Sequence, residues 1–340
     1  MTDLEFGVFD WLDVNNKRSI AETYDDRIAI ARRADQGAFE RIHYAEHHGA
    51  TLGLAASPGL FATAVARETE RIKLAPMTFI VPLYDPLRLV QEIAMIDQLA
   101  HGRLELGIGK GSSPIEAKMF GFSAEEMQAR YDAFVPAILE ALETGVFISP
   151  ITGEQIDLII RPSGPYTYWY PTSNPESIAK AAQNGQNTIF GFAFKSPPVE
   201  VIRERRDIYF EARAALGETG ERHPRFGILR HVVVADTDEA AFEIAEKAFI
   251  DHYDNFTWLW RKHGVDQPAQ PNLRQLVADR LFIVGSAESV IEQVTDLVKA
   301  TGVNYFASAF SWGSLDVADA LTSVDLFDTK VIPAVLSALD

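Results

Sequence analysis

Apolar residues along the chain follow two alternating patterns. Short runs rich in β-branched and aromatic residues, typical of buried strands, alternate with longer segments in which apolar residues recur at helical spacing. Within 20–36, for instance, Ile28, Ala31 and Ala34 recur at helical spacing. The pattern predicts strands that cover Leu4–Phe9, Phe39–Glu46, Ile72–Val81, Arg103–Gly109, Tyr166–Tyr170, Thr188–Phe194, Phe226–Ala235 and Val303–Ala309.

Helices are predicted between these strands. They cover Ile20–Gln36, Pro58–Glu68, Pro86–Leu99, Ala124–Thr144, Pro175–Asn184, Pro197–Leu216, Asp238–Asp254, Ala287–Thr301 and the C-terminal segment. Strands that alternate with helices in this way predict a parallel sheet with right-handed crossovers, and the chain length suits a closed (β/α)8 TIM barrel. An open doubly wound sheet is the alternative. Two segments, 148–165 and 255–285, are expected to be insertions into one domain spanning 1–340. The first contains a predicted hairpin at 148–160, and the second includes a Pro- and Gln-rich loop.

Composition and charge restrict the environment and the partners. The chain is 47% hydrophobic and 23% charged, as expected for a soluble globular protein. No apolar run reaches the roughly 18 residues of a transmembrane helix, and the N-terminus lacks a signal-peptide pattern, so we expect a cytoplasmic protein. The net charge of −17 disfavours nucleic acid and anionic membranes as partners. The absence of cysteine excludes disulfides and thiolate metal sites.

Three predicted strand ends carry unusual polar residues, and the first is Glu46-His47-His48. One histidine could act as a base near neutral pH. The pair could instead bind a metal, although neighbouring strand residues point to opposite faces and would not easily hold one ion. A third explanation is that both side chains form hydrogen bonds that cap the strand, and taken alone the segment favours this structural role.

The other two strand ends are rich in small residues. Gly107-Ile108-Gly109-Lys110-Gly111 lets backbone N–H groups approach a phosphate, with Lys110 as the cation, but the pattern matches neither a P-loop nor the dinucleotide fingerprint. A tight turn explains it equally well. Thr172–Ser177 begins a helix, with Ser173 or Asn174 as the N-cap, and a helix N-terminus can also bind phosphate.

In their order and spacing, several segments together resemble the bacterial-luciferase-like, flavin-dependent monooxygenases. The most specific is 97–111, which reads D-Q-x-x-x-G-R-x-x-x-G-x-x-K-G. The others are Glu46–His48, Thr78–Pro86, Ser173–Ser177, Ala181–Gly185 and Val284–Ser286. The resemblance implies a barrel that uses FMNH2 from a separate NAD(P)H-dependent flavin reductase. It also implies that O2 oxygenates a small apolar aldehyde or ketone through a flavin C4a-peroxide.

The resemblance also implies roles for individual residues. His47 would be the catalytic base or the partner of the peroxide, with Glu46 and His48 shaping the site. The FMN-binding residues would be Lys110, Gly109, Gly111, Ser173, Asn174 and Ser177, together with Met77 and Thr78, whose shared peptide bond is often cis in the family. Because related barrels pair, a homodimer through 55–66 and 86–99 is expected.

As a group, the aromatic residues at or near strand ends could form an apolar substrate pocket, although each one taken singly favours the ordinary core. They are Phe9, Trp11, Phe79, Phe192 and Phe194. One departure from the luciferases is Gly109, where those enzymes carry a cysteine, so light emission is not expected. Two alternatives stay open: an F420-dependent oxidoreductase, and a non-catalytic barrel that stores or senses flavin.

Overall fold

Parallel strands form the centre of the computed structural model, which describes residues 3–191, 194, 198–216 and 224–340. In chain order the strands are β1 (Glu5–Asp10), β2 (Phe39–Tyr44), β3 (Lys73–Pro76), β4 (Phe79–Ile80), β5 (Leu106–Gly109), β6 (Val146–Ile148), β7 (Gln155–Asp157), β8 (Tyr168–Trp169), β9 (Thr188–Phe190), β10 (Phe226–Ala235), β11 (Phe282–Ser286) and β12 (Tyr305–Ala309).

The pairing of these strands closes a ring. β1 pairs with β2 on one side and β12 on the other, β2 pairs with β3, and β10 pairs with both β9 and β12. β5 joins β4 and β8, and single bridges from Leu74 to Leu104 and from Trp169 to Asn187 close the remaining gaps. All of these pairings are parallel, which confirms the predicted TIM barrel.

Helices cover the outside of the ring. They are α1 (Ile20–Asp35), α2 (Pro58–Glu68), α3 (Pro86–Leu99), α4 (Pro114–Met119), α5 (Ala124–Thr144), α6 (Pro175–Gln183), α7 (Val199–Ala214), α8 (Asp238–Lys262), α9 (Leu273–Ala278), α10 (Ala287–Thr301), α11 (Val317–Leu326) and α12 (Ile332–Leu339). Among the helices in the described ranges, none is both long and apolar enough to cross a membrane.

Local sequence explains where the principal helices begin. Ser19 and Ser123 each accept a hydrogen bond from the N–H of a glutamate three residues later, and that glutamate reaches back to the cap, so both helices start with a capping box. α5 ends at Gly145, whose φ of 76° lies in the left-handed region that glycine adopts without strain.

Two predicted elements differ from the structure. The strand expected at 72–81 is divided into β3 and β4 by a cis peptide bond between Met77 and Thr78, the bond for which the resemblance implied this geometry. The region 255–285 is not simply an inserted loop, because α8 continues to Lys262 and β11 pairs with the second half of β10. β6 and β7 form the expected antiparallel hairpin, which covers 146–157 and so begins two residues before the predicted segment.

Apolar side chains pack on both sides of the barrel wall. Alternation along β1 sends Phe6 and Val8 into the large core under the helices, whereas Phe9 belongs to a second cluster that also contains Trp169 and Tyr305. Both faces of such strands are therefore apolar, as parallel sheets covered on both sides require.

A buried charge pair lies among the second cluster of side chains. Arg41 Nε donates to Glu105 Oε2 at 3.1 Å, and the Trp169 indole donates to the same oxygen at 2.6 Å. The guanidinium also stacks 5.0 Å from the centre of the Tyr305 ring. Next to it, burial lowers the pKa of His43 to about 3, with the Arg41 charge adding to the effect, so His43 is neutral.

We expect Arg41→Met to destabilise the barrel by about 3–5 kcal/mol, because the substitution leaves the Glu105 carboxylate buried without its main counter-charge. The midpoint of urea unfolding measures the loss. Arg32→Met is the matched control, because Arg32 pairs with Glu68 at the surface, with side chains 59% and 43% exposed, and should cost less than about 1 kcal/mol. Equal midpoints for the two variants would contradict the assignment.

Candidate functional site

A cleft of about 980 Å³ opens at the carboxyl ends of the barrel strands. Its walls include residues that follow successive strands: Trp11 after β1, His47 after β2, Lys110 after β5, Ser173 after β8 and Gly191 after β9. Binding sites of parallel barrels form at this end, where the loops after the strands converge. The cleft lies at the upper end of the roughly 300–1,000 Å³ typical of small-molecule pockets.

Glu46 lines the cleft and connects the ends of two strands. Its Oε2 accepts a hydrogen bond from the backbone N–H of Ile80 at 2.8 Å, and its Oε1 lies 2.7 Å from Nε2 of His48. Burial raises the pKa of the Glu46 carboxyl above its ordinary value, while the hydrogen bonds from His48 and Ile80 oppose the shift. His48 packs edge-on against Phe120, and it is absent from the residues that line the cleft.

His47 has a different carboxylate partner. Its Nδ1 lies 3.0 Å from Oε1 of Glu116, and the other oxygen of Glu116 accepts the backbone N–H of His48 at 3.3 Å. Glu116 is buried, whereas the His47 side chain is 22% exposed to the cleft. The ring of His47 stacks on the indole of Trp11, with centroids 6.0 Å apart. The two histidines therefore belong to separate hydrogen-bonded pairs.

Sequence reasoning missed Glu116. It stands three residues after Ser113, the N-cap of α4, in the spacing of a capping box, and Ser113 Oγ does accept the Glu116 N–H at 3.2 Å. Its carboxylate, however, bonds to the His47 side chain and the His48 backbone. The signature of a helix start thus concealed a residue of the site.

The glycine-rich turn after β5 gives the cleft a close-fitting wall. A Cβ on Gly109 would lie 2.2 Å from Thr78 Oγ1, so the position has no room for a side chain. Gly111 has a φ of +86°, and a Cβ there would approach Ile80 to 2.9 Å. Between these glycines, Lys110 donates to Gln128 Oε1 at 2.9 Å and lines the cleft.

The three polar residues predicted after β8 lie in different places. Ser173 lines the cleft together with the neighbouring Thr172 and Tyr170. Asn174 is the N-cap of α6 and accepts the backbone N–H of Ser177 at 3.1 Å. Neither Asn174 nor Ser177 lines the cleft, and both take part in the cap of α6. Capping is compatible with phosphate binding at a helix start, so their predicted role towards FMN stays a prediction.

The aromatic residues predicted for the pocket are also divided. Phe9 and Trp11 line the cleft, as do Met77 and Thr78 at the cis peptide bond. Phe79 does not: it is fully buried in the core under the helices, 6.1 Å from the Tyr84 ring. This corrects its assignment to the pocket.

Phe194 is a second aromatic residue whose pocket assignment is corrected. Its ring packs on Phe249, Tyr253 and Phe256 of α8, and it is not among the cleft-lining residues. Phe192, also predicted for the pocket, lies outside the described residues.

Two further walls were not predicted. The C-terminal part of α8 lines the cleft with four side chains, Asn255, Phe256, Leu259 and Trp260. The prediction ended this helix at residue 254 and treated the following residues as part of an inserted loop, so these four side chains were not considered. Arg205, on α7, brings a second cation to the cleft. It follows a strand end by many residues, and nothing in its local sequence sets it apart from the other arginines of α7.

Comparison with known sequences gives a consistent picture. Residues 4–305 match the pattern of a family described as luciferase-like monooxygenase. The chain is 31% identical to the uncharacterised protein y4wF of Sinorhizobium fredii, over 98% of this chain and 97% of that protein. It is 25% identical to the oxygenase component of flavin-dependent trigonelline monooxygenase from Acinetobacter baylyi, over 86% and 85% of the two chains.

Solved structures share the fold. The oxygenating constituent of 3,6-diketocamphane monooxygenase from Pseudomonas putida, a type II Baeyer–Villiger monooxygenase in complex with FMN, superposes with a TM-score of 0.80 and 22% identity, covering 97% of this chain and 98% of that one. An F420-dependent secondary alcohol dehydrogenase superposes with a TM-score of 0.69 and 17% identity, covering 98% and 99%.

Proposed function

We propose, since this chain belongs to the luciferase-like monooxygenase family, that it uses FMNH2 and O2 to oxygenate a small apolar aldehyde or ketone. Reduced FMN would supply the two electrons, so that one oxygen atom enters the substrate and the other leaves as water. The observation that carries the proposal is the His47–Glu116 pair, which faces a cleft with an apolar wall and a cationic, hydroxyl-rich wall.

The second wall fits the phosphate of FMN. Lys110, Ser112 and Ser113 follow β5, while Thr172 and Ser173 follow the neighbouring β8, and all of them line the cleft. A dianionic phosphate prefers this combination of a cation with hydroxyl donors. Gly111 keeps the backbone free of a Cβ at the turn. In a chain with a net charge of −17, a local cation is the attractive feature for an anion.

His47 is the residue that we propose to move a proton at the reacting atoms. In this proposal Nδ1 of His47 donates its hydrogen to Glu116 Oε1, 3.0 Å away, which leaves Nε2 as the nitrogen that can take up a proton from the cleft. Glu46 and His48 support His47 indirectly: the Glu46 carboxylate bonds to His48 and to the Ile80 N–H, and so holds the ends of β2 and β4 together.

The apolar wall suits a substrate of low polarity. Phe9, Trp11, Leu52, Phe256 and Leu259 would exclude water from the reacting centre. Trp11 comes from the loop after β1, and Phe256 and Leu259 come from α8, whereas Lys110 follows β5. The apolar wall and the Lys110 wall are therefore built by different elements of the barrel. We propose that a separate NAD(P)H-dependent reductase provides the reduced flavin, in keeping with a relative that is named an oxygenase component.

Lys110→Ala should weaken FMN binding by roughly 10- to 100-fold, because a charge-assisted hydrogen bond to phosphate is lost. Riboflavin, which lacks the phosphate, should bind both proteins alike in equilibrium titrations. Lys118→Ala is the matched control, since Lys118 is exposed on α4 outside the cleft and the variant changes the net charge equally. Unchanged FMN affinity in Lys110→Ala would overturn the phosphate assignment.

His47→Ala should lower product yield by about 10²–10⁴-fold if His47 acts as a general acid or base. FMN affinity should stay within a few-fold, and hydrogen peroxide release should rise as oxygen is reduced without transfer. The assay supplies FMN, NADH, a flavin reductase and ¹⁸O2 with a panel of aldehydes and cyclic ketones, and mass spectrometry detects one ¹⁸O in the product.

Two further variants sharpen that assay. Glu116→Gln should give an intermediate loss of product, because an amide orients the His47 ring less strongly than the carboxylate that lies 3.0 Å from Nδ1. His48→Ala is the control outside the cleft lining. If only His48→Ala releases hydrogen peroxide in place of product, the roles assigned to the two histidines are reversed. If both variants transfer oxygen to the substrate normally, neither histidine takes part in the chemistry. The absorbance spectrum of the bound cofactor distinguishes FMN from F420.

A homodimer is the assembly that we propose. α2 and α3 leave Leu60, Met95 and Leu99 exposed by 73%, 48% and 38%, an apolar surface that a second copy would cover. We expect sedimentation velocity at micromolar concentration to give a dimer for the natural chain and a monomer for Leu60→Glu, which buries a charge in the proposed contact. A monomeric natural chain would contradict the proposal.

A further inference from the structure

The indole of Trp11 forms a buried hydrogen bond across the barrel. Trp11 Nε1 donates to His231 Nε2 at 3.2 Å, and both side chains are almost entirely buried. Trp11 follows β1, whereas His231 lies in β10, two strands away around the ring, with β12 between them. The bond thus links the loop that carries Trp11 to a rigid strand of the barrel.

His231 is itself fixed in orientation. Its ring stacks on Phe282, with centroids 4.6 Å apart and planes 12° from parallel. The centre of the His252 ring also lies 4.6 Å away, with its plane tilted by 56°, and its Nδ1 is 2.9 Å from a buried oxygen of Asp13. Burial lowers the pKa of His231 well below its ordinary value, helped by the nearby His252 and Arg230, so Nε2 can accept a hydrogen bond.

Trp11 presents its indole to the cleft beside the proposed catalytic histidine. It stacks on His47 and meets Phe9 and Phe256 edge-on, at centroid distances of 6.0, 4.9 and 6.1 Å. Phe256 belongs to the part of α8 that lines the cleft. The angle of the indole therefore sets the space between His47 and α8.

We propose that His231 is a positioning residue that determines substrate specificity, because its hydrogen bond fixes the Trp11 wall of the cleft. Without His231 as acceptor, the buried indole N–H loses this hydrogen bond, and the ring turns or shifts within the cleft wall. Large substrates, which fill the space against the wall, would be affected more than small ones. The proposal rests on the proposed function in one respect, that the substrate reacts beside His47.

The hydrogen bond is tested first, with ¹⁵N-indole-labelled protein and NMR. The chain has five tryptophans, and Trp11→Phe identifies the Trp11 signal by its disappearance. In His231→Leu that signal should move upfield and exchange faster with solvent, whereas His231→Gln, which keeps an acceptor, should leave it near its original position. The other four indole signals report the integrity of the fold. An unmoved Trp11 signal in His231→Leu would overturn the proposal.

Specificity is tested with cyclic ketones from cyclopentanone to cyclododecanone in the flavin-loaded enzyme. His231→Leu should change the ratio of KM values between the largest and the smallest ketone by about 5- to 30-fold, with a smaller change in kcat. His231→Gln should restore the original ratio. In a Trp11→Phe background, which lacks the N–H, His231→Leu should add nothing further.

The control for the proposed function is built into the same series. If the natural chain oxygenates neither these ketones nor the aldehydes of the earlier panel, the monooxygenase proposal fails, and the ratio is then taken from dissociation constants measured by equilibrium dialysis. A ratio that is equal in the natural chain and in His231→Leu, or an equal effect of His231→Leu with and without the Trp11 indole N–H, would overturn the positioning role.

Discussion

When parallel strands close into a ring, water is excluded from the interior of the ring. A polar group in that interior is stabilised only if it finds a partner there. The Arg41–Glu105 pair meets this constraint, with the Trp169 indole as an additional donor to the carboxylate. Side chains from β2, β8 and the segment that enters β5 are held together by this one group of contacts. The cleft depends on these contacts, because it lies at the far end of the strands that they hold together.

At the carboxyl ends of the strands, the order of the strands in the ring decides which residues form each wall of the cleft. The turns after β5 and β8 bring Lys110 and small hydroxyl residues together because these two strands are neighbours in the ring. The opposite wall comes from the loop after β1 and from α8. Buried Asp13 joins those two elements: its carboxylate accepts from His252 of α8 and from the backbone N–H of Gly313. An apolar wall is thus held in place by polar contacts behind it.

The adjacent histidines illustrate how a barrel separates roles within three residues. His48 bonds to Glu46, whose second oxygen holds the Ile80 N–H, and this pair fixes the backbone. His47 bonds to Glu116, a residue delivered from α4 after a different strand. One carboxylate stabilises the framework while the other orients a ring toward the cleft. Geometry of this kind, rather than the tandem motif itself, makes the assignment of His47 testable.

The sequence by itself determined most of the elements and their alternation, and hence the barrel, because periodicity and capping are local and a parallel ring is what such alternation builds. It did not predict β11, the extension of α8 to Lys262 or the division of the strand at 72–81. The sequence also predicted that Lys110 and Ser173 lie at the end of the barrel where the cleft opens, because each of them follows a strand. Only the tertiary structure decided that Phe79 packs under the helices: both faces of a barrel strand are apolar, so composition does not tell inside from outside. Likewise, Glu116 and His231 gain their partners from contacts 69 and 220 residues away in sequence, which no local pattern encodes.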